Sequence, residues 1–183
     1  MHKWNLTQER HVKLFGQTFT TVFAEDIILI VGQFNWCEVR HALGLATDGD
    51  GDRFGVIDSN GDMISPNQLV ALLTDYLAES RGWTQGVARS VATSHLVDRV
   101  AKDRGLKLHE TPVGFKFIGE LINSDQIILG GEESAGLSIR GHYPEKDGIL
   151  ACLLAAEAVA VRRASLTEQL EALYARVGRL EKT

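Results

Sequence analysis

Three carboxylates alternate with two glycines in Asp48-Gly49-Asp50-Gly51-Asp52, and Arg53 follows directly. Glycine lets the backbone fold tightly, so that alternate side chains can converge on one point. Three converging carboxylates repel one another unless a cation sits among them. A hard divalent ion with oxygen ligands suits that place, and magnesium commonly leaves part of its shell for phosphate or water. The adjacent arginine adds a donor fork for a phosphoryl group. Asp-Gly runs also occur as plain solvated turns, but three aspartates between two apolar stretches exceed what a turn requires. A calcium loop of the EF-hand type is excluded, because Arg53 stands where that loop needs glycine and Ser59 where it needs a bidentate glutamate.

A second polar loop, Gly130-Gly131-Glu132-Glu133-Ser134-Ala135-Gly136, offers a carboxylate and a hydroxyl two residues apart. That pair suits hydrogen bonding to vicinal hydroxyls of a sugar, although a glycine-bounded acidic loop is by itself more often a connection. Lys146 is expected at the start of a long apolar segment, Lys146 to Arg163. A cation at a helix N-terminus is electrostatically unfavourable, which makes a functional reason worth weighing against a solvated surface residue. His142 lies close by in sequence and is a candidate to bind phosphate or relay a proton; an exposed loop histidine without a role is an equal reading. The other histidines (His2, His11, His41, His95, His109) show no metal-ligand spacing.

These loops need a scaffold, and the surrounding pattern supplies one. Leu43 to Thr47 and Phe54 to Ile57 read as short buried strands flanking the aspartates, with a turn at Asn60-Gly61. Pro66 opens a helix carrying Leu69, Leu72, Leu73, Tyr76 and Leu77 at helical spacing. Gly86 to Ala92 reads as a strand, and Thr93 as the N-cap of a helix ending at Gly105. Leu106 to Glu110 reads as a strand, Gly114 to Leu121 as a short helix, and Gln126 to Leu129 as another strand before a polar loop that begins at Gly130. The segment Lys146 to Arg163 is apolar nearly all round, which predicts a buried helix. Ser165 and Glu168 form a capping box for a last helix closed at Gly178. In residues 1–42 only the run Ile27 to Val31 has a strand pattern. The alternation predicts an α/β fold: a three-layer α/β/α domain with a mostly parallel or mixed sheet, plus a partial neighbouring domain. Ligands gather at the carboxyl ends of such strands, where both polar loops lie.

Composition agrees with this. Of 183 residues, 44% are hydrophobic, enough for an ordinary core, and the net charge of −5 gives no basic field for nucleic acid or an anionic membrane. No apolar run approaches the roughly 20 residues of a membrane span. Cys37 and Cys152 form no disulfide framework, and the N-terminus has no signal-peptide core, so a cytoplasmic location is expected.

The stretch Gly44-Leu45-Ala46-Thr47-Asp48-Gly49-Asp50-Gly51-Asp52-Arg53-Phe54-Gly55 closely resembles the metal-binding loop of the alpha-D-phosphohexomutases, the superfamily of phosphoglucomutase and phosphomannomutase. The resemblance implies that Asp48, Asp50 and Asp52 hold Mg2+, which also touches a phosphoserine, and that Arg53 lies beside the phosphoryl group. It implies that Glu132 and Ser134 contact ring hydroxyls, in a form more like glucose-preferring members. Lys146-Asp147-Gly148 matches the element whose lysine is a general acid/base candidate. Glu110 to Lys116, which includes Gly114, resembles the specificity loop, with Val113 where the family often has threonine. A hexose phosphate as substrate and a hexose 1,6-bisphosphate as activating intermediate follow from the resemblance.

The likeness runs from about Leu43 to Leu180. It divides the chain into residues 1–42, a divergent or truncated N-terminal segment; 43–63, the end of domain 2 with the metal loop; 64–163, domain 3; and 164–183, a helical link towards domain 4. Neither a Thr-Ala-Ser-His-Asn-Pro-type phosphoserine loop nor an Arg-x-Ser-Gly-Thr-type phosphate loop stands in the sequence. Domains 1 and 4 are therefore expected as intramolecular partners, and this chain alone is expected to be inactive. The alternative expectation is a non-catalytic remnant or sugar-phosphate-binding module.

Overall fold

The structure is a computed structural model, and it describes residues 8–14, 17–24, 27–32 and 43–180. Cys37, His2 and His41, considered above, lie outside the described residues. Two sheets organise the chain. The first is antiparallel throughout, in the order β1 (Gln8–Leu14), β2 (Gln17–Ala24), β3 (Ile27–Gly32), β4 (Gly44–Thr47), β5 (Phe54–Ile57) and β6 (Met63–Ile64). Strands β1 and β2 are additions to the sequence reading. Their residues, such as Gln8, Glu9, Arg10 and Lys13, alternate too poorly to show a strand period. The pairing of Ile30 with Leu45 carries this sheet across the boundary at residues 42 and 43.

The second sheet has the order β10-β9-β7-β8. Strand β7 (Gly86–Ser90) runs parallel to both β8 (Leu108–Thr111) and β9 (Ile127–Gly131), and β10 (Leu137–Ile139) returns antiparallel beside β9. The sheet is therefore mixed. Alternate side chains separate its two faces. Ala88 and Ile127 pack with Phe115, Ile118 and Ile122 of α3 (Phe115–Asn123). Val87 and Ile128 face the larger core, formed with α1 (Pro66–Arg81), α2 (Leu96–Arg104), α4 (Gly148–Arg162) and α5 (Leu166–Val177). This is the expected α/β/α layering.

The helix starts follow the local chemistry. Ser65 and Gln68 close a capping box on α1, with Pro66 in its first turn, and Ser165 and Glu168 do the same for α5. Asp58, in the turn between β5 and β6, also accepts the α5 amides of Leu166 at 3.2 Å and Thr167 at 2.8 Å. Three sequence expectations change. The residue flanking α2 is His95, with no side-chain cap, and Thr93 bonds elsewhere. Gly130 and Gly131 belong to β9, where they pair with β7 and β10, and a Cβ there would lie 2.2 Å from Ile118 and 2.5 Å from Val70 respectively. Glycine at these positions admits neighbouring helices and does not mark the loop start. Helix α4 is buried on one side only: Ala151, Leu154, Ala155 and Ala158 are inside, whereas Ile149, Leu153 and Val161 are exposed.

Candidate active site

The aspartate loop leaves the end of β4 and re-enters β5. Gly51, at φ +75°, makes the turn in a conformation that favours glycine, and its N–H bonds Asp48 O at 3.1 Å. One carboxylate oxygen from each of Asp48, Asp50 and Asp52 comes within 4.8 Å of the others, so the expected convergence is present. Arg53 donates to Asp48 through its backbone N–H (3.1 Å) and through Nε (2.6 Å). Burial pushes the Asp48 carboxyl up, but these bonds and the adjacent charge outweigh it and hold the group below the usual carboxylate value. The same pairing raises the Arg53 guanidinium. A set of three hard oxygen donors next to a cation fits a small divalent metal.

Lys146 joins this group by ion-pairing to Asp52. It stands outside α4, because the N-cap is Asp147, which accepts Leu150 N–H at 2.8 Å. The unfavourable placement of a cation on the first helical turn is therefore avoided. The bond to Asp52 raises the Lys146 ammonium above its ordinary value despite partial burial. Two glycines permit this arrangement. A Cβ at Gly136 would lie 2.5 Å from Lys146 Cδ, and one at Gly148 would lie 2.3 Å from Arg53 O. With no side chain, Gly148 also donates its N–H to Gly51 O at 2.9 Å, so α4 begins directly against the aspartate loop.

The second loop lies alongside. Phe54 N–H bonds Ala135 O at 3.3 Å, which joins it to the start of β5. Glu132 is buried, and its Oε1 accepts the N–H of Gly114 at 2.9 Å. Ser134 is exposed on the same loop. Val113 is exposed next to Gly114. His142 reaches the site through Asp147, the residue between Lys146 and Gly148. It follows β10, which runs away from the loop, and its Nε2 lies 2.8 Å from Asp147 Oδ2.

Sequence reasoning missed the pairing of Lys146 with Asp52 and the capping role of Asp147. An aspartate directly before an apolar helix is a recognised cap signal and would have placed Lys146 outside the helix.

Fold and site together define an α/β/α domain that meets a loop of three converging carboxylates, with the glycine-rich loop of Glu132 and Ser134 beside it. The family description "Phosphoglucomutase/phosphomannomutase, alpha/beta/alpha domain III" matches residues 65–177, and the chain belongs to this family. It is 37% identical over 139 residues to a phosphoglucomutase of Rhizobium radiobacter, covering 74% of this chain and 25% of that protein. It is 36% identical over 144 residues to phosphoglucomutase-1 of Homo sapiens, covering 76% of this chain and 25% of that protein. The crystal structure of the Paramecium phosphoprotein pp63/parafusin, a phosphoglucomutase in its open form, superposes with a TM-score of 0.61 at 32% identity. That match covers 73% of this chain and 24% of the other. The chain thus spans about a quarter of the length of the curated relatives it matches. Among the described residues, no helix is long and apolar enough to cross a membrane.

Proposed function

We propose that this chain is the metal- and sugar-recognition part of a hexose-phosphate mutase of the phosphoglucomutase/phosphomannomutase type. Such an enzyme interconverts hexose 1-phosphate and hexose 6-phosphate through a phosphoserine and a bisphosphate, with glucose favoured. The observation that carries the reading is the meeting of three elements distant in sequence: the trio Asp48, Asp50 and Asp52, the ammonium of Lys146, and the loop bearing Glu132 and Ser134.

In this reading the three aspartates hold Mg2+, which supplies charge neutralisation for a transferring phosphoryl group. Arg53 adds a guanidinium on the same side. Glu132 and Ser134 take vicinal hydroxyls, and the bond from Gly114 fixes the direction of the Glu132 carboxylate. Lys146, ion-paired to Asp52, is the general acid/base candidate at a sugar oxygen. His142, bonded to Asp147, is the further candidate contact for phosphate. Residues 43–63 correspond to the end of a second domain, 64–163 to the third and 164–183 to a link towards a fourth. The phosphoserine and the distal phosphate loop belong to first and fourth domains acting as partners, in the cytoplasm.

The test is conversion of glucose 1-phosphate to glucose 6-phosphate with Mg2+ and glucose 1,6-bisphosphate present. The chain alone is expected to give none, and a mixture with a relative's fragment carrying the first and fourth domains is expected to give some. Asp50→Ala should abolish that turnover and reduce the heat of Mg2+ binding measured by calorimetry. Equal heats in the two forms would remove the metal assignment.

A further inference from the structure

The loop that carries Glu132 and Ser134 contains a strained residue. Ala135 sits at φ +68°, a left-handed conformation that a side chain disfavours, so its surroundings must hold it there. Within the loop, Glu132 N–H bonds Gly136 O at 2.9 Å and Ala135 N–H bonds Glu132 O at 3.1 Å. Phe54 N–H ties Ala135 O from the aspartate side. A further tie comes from the loop between β7 and α2, where Glu133 N–H donates to Thr93 Oγ1 at 3.1 Å.

Thr93 is well placed to act as a fixed post. It is 2% exposed, on the loop between β7 and α2. Its hydroxyl shares a 2.9 Å hydrogen bond with the buried Ser90 Oγ, and its own N–H bonds Ser90 O at 3.0 Å. The next residue, Ser94, donates its N–H to Asn67 Oδ1 in the first turn of α1 at 2.9 Å. The post is thus anchored both to the end of a central strand and to a helix of the core. The peptide it grips joins Glu132 to Glu133, and Ser134 follows directly.

We propose that Thr93 is a positioning residue for substrate: its hydroxyl sets the orientation of the 132–133 peptide, and with it the directions in which Glu132 and Ser134 meet sugar hydroxyls. This rests on the sugar-binding reading of that loop. Thr93 touches no substrate itself. Threonine is required there for its oxygen, since the geometry of an N-cap is not used.

The test compares Thr93→Val, which keeps the shape and removes the acceptor, with Thr93→Ser, which restores the oxygen. Amide hydrogen exchange at Glu133 should quicken about fivefold in Thr93→Val, the effect of losing one ordinary hydrogen bond, and return to the parent rate in Thr93→Ser. Binding of glucose 1,6-bisphosphate with Mg2+ should weaken about five- to tenfold in Thr93→Val and recover in Thr93→Ser. Unchanged exchange at Glu133 would overturn the proposal. So would faster exchange with unaltered affinity, if Glu132→Gln still weakens binding. If neither Glu132→Gln nor Thr93→Val alters affinity, the sugar-loop reading itself fails and the positioning role goes with it, while the exchange data still report the bond.

Discussion

Removing the charge of Asp75 should be among the most damaging single changes in this fold. Asp75 lies on α1 and is 3% exposed. Arg104 Nε of α2 donates to it at 2.6 Å, Arg162 Nη2 of α4 at 2.9 Å, and Arg176 of α5 also bonds it. Four helices therefore meet on one carboxylate. Burial alone would push the Asp75 carboxyl up, but the three guanidiniums overcome that and hold it below its ordinary value. Breaking a buried pair typically costs about 3–5 kcal/mol. Glu79 still accompanies Arg104 and Arg162, and Asp103 stands near Arg176, so the low end applies. Asp75→Asn should lose about 3 kcal/mol at pH 7, or about 6–12 °C in Tm for a chain of this size. Because the folded value lies below the unfolded one, this stability is fully present well above pH 4 and declines as pH falls through the folded value. Urea unfolding of both forms from pH 7 down to pH 3 gives the check. The gap should narrow on acidification. A gap under about 1 kcal/mol, as for surface pairs, or one that does not change with pH, would refute the reasoning.

Two further outcomes follow from close contacts. Gly148→Ala places a Cβ against Arg53 O and Gly51 O, so it should destabilise by about 1–3 kcal/mol and weaken Mg2+ binding, both measurable by thermal unfolding and calorimetry; unaltered values would mean that α4 can withdraw from the loop freely. Cys152 donates to Ala46 O, and burial pushes its thiol up to about 11. Iodoacetamide at pH 8 should therefore label the Cys152 peptide only when urea opens the fold; rapid labelling of the folded chain would contradict the burial.

The features legible in sequence were those set by neighbours in the chain. The capping boxes at Ser65 and Ser165, the turn at Asn60-Gly61 and the alternating aspartates each announce their geometry within a few residues. Strand β10 was not legible, because three residues are too few to show a period. Nor were β1 and β2, whose polar residues hide the alternation. Thr93 shows why local chemistry can mislead. Its type and position suit a cap, yet its hydroxyl bonds Glu133 from another loop. The exposed stripe of α4 was hidden for the reverse reason: composition reports how apolar a helix is, but not how many of its sides have neighbours.

The bond from Asp58 to the first turn of α5 has a mechanical consequence. Asp58 directly follows β5, and β5 begins at the aspartate loop. The base of α5 is therefore set from the aspartate loop through one four-residue strand, and is not left to a flexible tether. The helix has 12 residues, so it acts as a lever about 18 Å long, and a tilt of about 5° at its capped end would swing its far end by about 1.6 Å. Whatever follows α5 is aimed from the same reference point that arranges the three carboxylates.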